Sequence, residues 1–147
     1  MNKNQFIKYG IALTRIYLAL VFILSGLDKI NNLSDFAQSI ENYRLFPTYI
    51  INIFAIIIPW LEVITGGLLL LGLFIKENAV IIFSLLLVFT IAVITAVLRN
   101  LDIECGCSGT YDGQKVGIIK IVENISLIVV SFLSIKFPNQ VLTFLKQ

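Results

Sequence analysis

The sequence predicts an all-α integral membrane protein: a bundle of four transmembrane helices, with a short interfacial helix between the first and second. Three observations predict it. Apolar residues make up 58% of the chain and the mean hydropathy is +0.93, well beyond soluble domains. Charged residues are only 14% and gather between the apolar runs. The runs number four, each close to the ~20 residues that a helix needs to cross a bilayer core. Strands are excluded, because lipid cannot satisfy an open sheet edge. Residues 1–147 read as one membrane domain.

The first span covers 9–27 and ends where Asp28, Lys29, Asn31 and Asn32 follow one another. Lys3 and Lys8 precede it as in a signal peptide, but Arg15 interrupts the run and no A-x-A site follows Ser25-Gly26. An uncleaved first helix is therefore expected. Residues 34–45 form a short helix with Ser34 as its cap. Leu33, Phe36, Ala37, Ile40 and Tyr43 share one face, while Asp35, Gln38, Glu41, Asn42 and Arg44 fall elsewhere. That spacing suits a helix lying in the membrane interface. Pro47 ends it, since Pro disfavours helix before it.

The second span covers 48–74, with Pro59 as a kink site. Gly66, Gly67 and Gly72 leave it a smooth face for close helix approach. Lys76, Glu77 and Asn78 are expected to form a tight turn before the third span, 79–98. Arg99, Asn100 and Asp102 mark its emergence into water. A loop from Ile103 to Gly117 leads to the fourth span, 118–137, which Pro138 ends.

Net charge is +2 with no block of like charge, which argues against nucleic acid as a partner. Histidine is absent, so the commonest acid–base group and metal ligand is missing. Four spans put both termini on one side. Lys3, Lys8, Lys76, Lys136 and Lys146 share it; Lys29, Arg44, Arg99, Lys115 and Lys120 lie on the other. Arg15 leans toward the N-terminal side and tips this tie toward cytoplasmic termini. A disulfide also persists more readily outside the cytosol. The expectation is a multi-pass protein of the bacterial inner membrane, with the Cys105 loop periplasmic.

Cys105-Gly106-Cys107 holds both cysteines of the chain. Neighbours at i and i+2 close a disulfide only with unusual backbone, and Gly106 supplies that freedom. So small a ring should be strained, and strained, exposed disulfides are more oxidising than structural ones. It closes almost no loop and adds little stability. These arguments favour a catalytic redox pair. Two idle thiols, or a Cu(I) site held by two soft thiolates, remain open. Zinc prefers four ligands and haem attachment needs Cys-x-x-Cys-His, so no metal is assigned. Arg99 and Lys115 are offset by Asp102, Glu104 and Asp112. Thiolate activation would need Arg99 to fold back, or the fourth helix to aim its N-terminus at the sulfurs.

Arg15, Glu62, and Glu123 with Asn124 lie at membrane depth, where charges are costly and usually pair across helices. The expected pairs are Arg15 with Glu62, and Lys29 with Glu123. Purely structural pairing is the plain reading. The functional one is a proton path or a pocket for a quinone head group. Lys29, Arg99 and Glu123 are its cofactor-binding candidates because they share the level of the cysteines. Trp60 and the tyrosines are assigned no chemistry.

The order of features resembles the DoxX-like membrane proteins, most closely the methylamine-utilisation MauE branch. The matching residues are Phe22, Ser25-Gly26 and Lys29; Phe36 and Tyr43 through Pro47; Pro59-Trp60-Leu61-Glu62 with Gly66 and Gly72; Leu98-Arg99 ahead of Cys105-Gly106-Cys107 and Gly109; and Asn124. They span nearly the whole chain. Ser108 departs from the family's usual aromatic residue, and Glu123 from an arginine that often precedes the asparagine. The resemblance implies a four-helix, redox-associated membrane protein. MauE members are tied to maturation of methylamine dehydrogenase through disulfide formation in its small subunit, and other DoxX-like members to quinone-dependent sulfur oxidation. The expected function follows: the Cys105–Cys107 disulfide takes electrons from a periplasmic dithiol or thioredoxin-like protein and passes them to membrane quinone. The alternative is a non-enzymatic subunit that scaffolds a larger membrane complex.

Overall fold

The computed structural model describes residues 3–103, 105 and 117–137, with side chains from Tyr9 onward. Cys107, Ser108, Asp112, Lys115 and the tail from Pro138 lie outside the described residues. Five helices follow in order: α1 (Lys3–Asn31), α2 (Leu33–Asn42), α3 (Thr48–Leu71), α4 (Ile75–Leu98) and α5 (Ile118–Lys136). Among the described residues there is no strand. Four segments are long and apolar enough to span a bilayer: Tyr9–Asn31, Thr48–Leu71, Ile75–Leu98 and Ile118–Lys136. Leu18, Phe22, Leu69, Ile82, Leu86 and Leu127 form the shared core. Large apolar side chains such as Leu13, Leu24, Ile91 and Phe132 point outward, where lipid rather than water receives them.

The helix ends differ from the expected ones for local reasons. α1 runs four residues past Leu27, through Asp28 and Lys29, to Asn31. The polar residues expected to end the span do not end it, and Lys29 is fully buried. α3 stops at Leu71 because Gly72 takes the left-handed conformation, φ 74°. Leu73 N–H then donates to Leu68 O and Gly72 N–H to Leu69 O, the Schellman pattern that satisfies the last carbonyls. Gly72 is therefore a cap and not part of a smooth face. Lys76, Glu77 and Asn78 form no turn. They lie in the first turn of α4, where Asn78 Nδ2 donates to Leu73 O and Phe74 O at 2.9 and 3.0 Å. α4 closes with a second Schellman pattern at Asn100, φ 51°. Asn is one of the few residues that tolerates that conformation.

α1 and α3 pack antiparallel along a small-residue seam. A Cβ on Gly26 would meet Val63 Cγ2 at 2.7 Å and Pro59 O at 2.8 Å. One on Gly66 would meet Ala19 O and Ile23 Cγ1, both at 3.0 Å. The backbones approach this closely because neither position carries a side chain. A Cβ on Gly67 meets nothing within 4 Å, so Gly66 belongs to the seam and Gly67 does not. α3 continues through Pro59, which is buried.

This register sets depth. Glu62, the residue Lys29 meets, lies ~21 Å along α3 from Thr48 and ~14 Å from Leu71. α1 thus ends well inside the bundle, and Lys29 is deeper than the outer level expected for it. α2 occupies the remaining height. It starts after Asn32, not Ser34; Asn32 Nδ2 donates back to Asp28 O and Oδ1, both at 3.1 Å. Its buried residue Phe36 sits at the level of the ion pair, and Tyr43 at its end meets the C-terminal end of α4. α2 therefore connects two levels of the bundle.

Gly26→Ala places a methyl against a backbone carbonyl and should cost about 1–3 kcal/mol. Gly67→Ala, into open space, should be neutral or slightly stabilising. Thermal unfolding in detergent, followed by circular dichroism, reads both; equal effects would refute the seam.

Candidate functional site

An ion pair is buried between α1 and α3. Lys29 Nζ donates to both carboxylate oxygens of Glu62, at 2.7 and 3.0 Å, with the side chains 0% and 2% exposed. The Phe36 and Phe89 rings flank the ammonium, with centroids at 5.0 and 4.9 Å. Ser25 hydrogen-bonds the same carboxylate. An isolated charge at this depth would be costly; pairing, hydrogen bonds and aromatic faces offset that cost. Ser25 and Glu62 line a cavity of about 20 Å³ with Asn124 of α5, roughly the room one water needs. Asn124 Nδ2 has no hydrogen-bond partner among the described residues.

The expected pairings are corrected here. Glu62 meets Lys29, not Arg15, which lies fourteen residues earlier on α1, ~21 Å away along the axis. Arg15 is buried nearer the C-terminal end of α3, one turn beyond Ala19, which faces Gly66. Glu123 is 41% exposed and pairs with Lys120 at 2.9 Å. It is not brought to Lys29; Asn124, the next residue, faces the ion-pair cavity instead.

Toward one end of the bundle, the ends of two helices converge on Cys105. Tyr43, just past α2, donates its hydroxyl to Cys105 O at 2.8 Å. Arg99, at the C-cap of α4, donates from Nη1 to Tyr43 O at 2.9 Å. Tyr43 is 7% and Cys105 4% exposed. Burial pushes the Tyr43 phenol well above its ordinary value of 10.0, so it stays a donor throughout the working pH range. Arg99 serves this chain by holding the α2 end, rather than by folding back on a thiolate. Cys105 is disulfide-bonded; the chain's other cysteine, Cys107, lies outside the described residues.

Beside Cys105 opens a pocket of about 400 Å³ between α2, α3 and α4. Phe36, Ile40, Tyr43, Phe54 and Phe89 are among its walls, and Cys105 is another. Phe46 stacks edge-on to Phe54 at 5.3 Å. The size is within the usual range for small-molecule sites, about 300–1,000 Å³. Phe36 and Phe89 separate it from the Lys29 ammonium. Of the expected site residues, the structure brings Cys105 and Arg99 together through Tyr43, and sets Lys29 just behind the pocket wall. Tyr43 was missed, although a tyrosine on the apolar face of a short helix must find a partner for its hydroxyl. Nothing in the sequence marked Phe36 and Phe89 as flanks of Lys29.

Together these define a multi-pass membrane protein whose cysteine site is tethered to the transmembrane helices. Residues 7–137 match the family model of the methylamine utilisation protein MauE, and the chain belongs to that family. It is similar to the methylamine utilization protein MauE of Paracoccus denitrificans, 32% identical over 115 residues, 77% of this chain and 61% of the relative. The MauE protein of Methylorubrum extorquens is 28% identical over 119 residues, 80% of this chain and 64% of the relative. That of Methylophilus methylotrophus is 29% identical over 93 residues, 63% and 49%. The matches thus span about half to two thirds of the curated relatives. They carry the MauE branch of the resemblance. No solved structure matches the chain.

Three outcomes follow from this geometry. Lys29→Met or Glu62→Gln alone leaves a buried charge without its counter-charge and should cost about 3–5 kcal/mol, whereas the Lys29→Met/Glu62→Leu double variant should recover much of that. Unfolding in graded denaturing detergent measures the cycle; additive losses would contradict it. Tyr43→Phe should speed reduction of the Cys105 disulfide by dithiothreitol, because the buried carbonyl loses its donor. The raised phenol value also sets a sign. The unfolded phenol ionises near pH 10 and the folded one does not, so this contribution is complete below pH 10 and falls as pH rises above it. Tyr43→Phe should flatten that part of the stability–pH curve.

Proposed function

We propose that this protein is a thiol–disulfide redox protein of the bacterial inner membrane. Cys105 and Cys107 are its working pair, on the periplasmic side, with both termini cytoplasmic. One observation carries the reading: Cys105 is disulfide-bonded and its backbone is tied to α2 and α4 through Tyr43 and Arg99. A half-cystine anchored this way keeps its backbone in place while the sulfurs exchange.

The reaction begins with a periplasmic dithiol or thioredoxin-like protein. Its thiolate attacks one sulfur of Cys105–Cys107, forming a mixed disulfide and releasing the other cysteine as a thiolate. The partner's second thiol then displaces the remaining cysteine. The partner leaves as a disulfide, and Cys105 and Cys107 are left as thiols. The pair has gained two electrons and two protons, which membrane quinone removes to restore the disulfide. The MauE relatives are named for methylamine utilization, and disulfide formation in a methylamine dehydrogenase subunit is the physiological step this chemistry suits.

A second reading comes from the helix surfaces. A Cβ at Gly67, outside the α1–α3 seam, would meet nothing within 4 Å among the described residues, which leaves room for another helix, as in a scaffolding subunit. Serine substitution separates the two. Cys107→Ser should abolish dithiol-peptide oxidation by membranes carrying the protein, with the bundle folded by circular dichroism. Full activity in that variant would overturn the redox reading; a partner complex that still works after both cysteines become serine would establish the scaffold.

A further inference from the structure

We infer that the apolar pocket beneath α2 is the site where an isoprenoid quinone reoxidises the cysteine pair. The inference rests on the redox reading above and adds a place, a ligand class and its walls. Lys29, Arg99 and Glu123 were the expected quinone residues. The geometry moves the site: Lys29 pairs with Glu62, Arg99 donates to the Tyr43 carbonyl, and Glu123 meets Lys120 away from the pocket.

Four observations point to this occupant. First, Cys105, one half of the proposed pair, forms part of the pocket wall. Second, none of the described lining residues is charged, and the nearby Lys29 charge is neutralised by Glu62 behind Phe36 and Phe89. The pocket therefore selects a neutral ligand and disfavours charged, water-soluble oxidants such as glutathione disulfide. Third, Phe36, Phe54 and Phe89 give flat faces and edges for a planar ring. Fourth, Leu45, Phe46 and Val88 belong to the lining and are exposed on the outer surface of the helices, so a long apolar tail can leave without crossing water. A neutral, planar, tailed molecule that accepts two electrons is a quinone.

The step balances. Two thiols of reduced Cys105 and Cys107 and one quinone yield the Cys105–Cys107 disulfide and one quinol. The two S–H bonds break, the S–S bond forms, and both electrons and both protons pass to the quinone oxygens.

The test uses the full chain in lipid nanodiscs. An azido analogue of decylubiquinone is photolysed on the protein and the adducts are mapped by mass spectrometry. The inference expects adducts on pocket residues such as Phe54, Val88 and Ala92, suppressed by excess decylubiquinone. Adducts spread over outward residues such as Trp60 and Ile91, or suppressed equally by added phospholipid, would overturn it and leave an acyl chain as occupant. In a second arm the reduced pair is reoxidised by decylubiquinone or by oxidised glutathione. Ala92→Phe, which fills the pocket, should lower the ratio of the two rates at least tenfold; an unchanged ratio would overturn the inference. Should the wild-type pair cycle with neither oxidant, the redox reading fails, while the photolabelling still decides what the pocket binds.

Discussion

The Lys29–Glu62 ion pair is the constraint on which the rest of the structure depends. A bilayer interior tolerates such a pair only when both charges meet at hydrogen-bond distance and apart from lipid. Meeting that condition fixes how far α1 slides along α3. Gly26 and Gly66 then let the two backbones close. It also makes α1 end deep, so a second short helix must complete the height of the bundle. Phe36 packs against the ammonium at the start of α2. Tyr43, at its other end, reaches Arg99 and Cys105. One buried contact is thus linked through α2 to the cysteine site.

Much of this was legible in the sequence because lipid imposes simple rules. Apolar length marks the four spans, and the separation of apolar from polar faces marks a short amphipathic helix, expected over 34–45 and found over Leu33–Asn42. What failed was pairing across helices. Lys29 followed Asp28 and preceded two asparagines, a local pattern that normally marks exit into water. Only the α1–α3 register shows that its partner lies mid-way along another helix. Hydropathy alone matches Glu62 with Arg15, because depth along one helix says nothing about depth along its neighbour. Gly72 was read with Gly66 and Gly67 for a similar reason: small residues look alike until one of them must adopt a left-handed backbone.

The cysteine site shows the same division. Cys105 stood out by composition. The pocket beside it did not, because Phe36 on α2, Phe54 on α3 and Phe89 on α4 each read singly as ordinary packing residues. Brought together, they form an apolar chamber beside a half-cystine, with a neutralised ion pair behind two of its walls. That juxtaposition is the basis of the proposed site for reoxidation of the cysteine pair. The chain belongs to the MauE family, and its matches cover about half to two thirds of the curated relatives.

The most direct measurement is the reduction potential of the Cys105–Cys107 pair in nanodiscs, read by thiol labelling across a series of glutathione buffers. The account predicts a reversible two-electron titration toward the oxidising end of known pairs, near ~−120 mV, where DsbA lies. A potential below about −300 mV, typical of inert structural disulfides, or a pair that never forms an intramolecular disulfide, would contradict it.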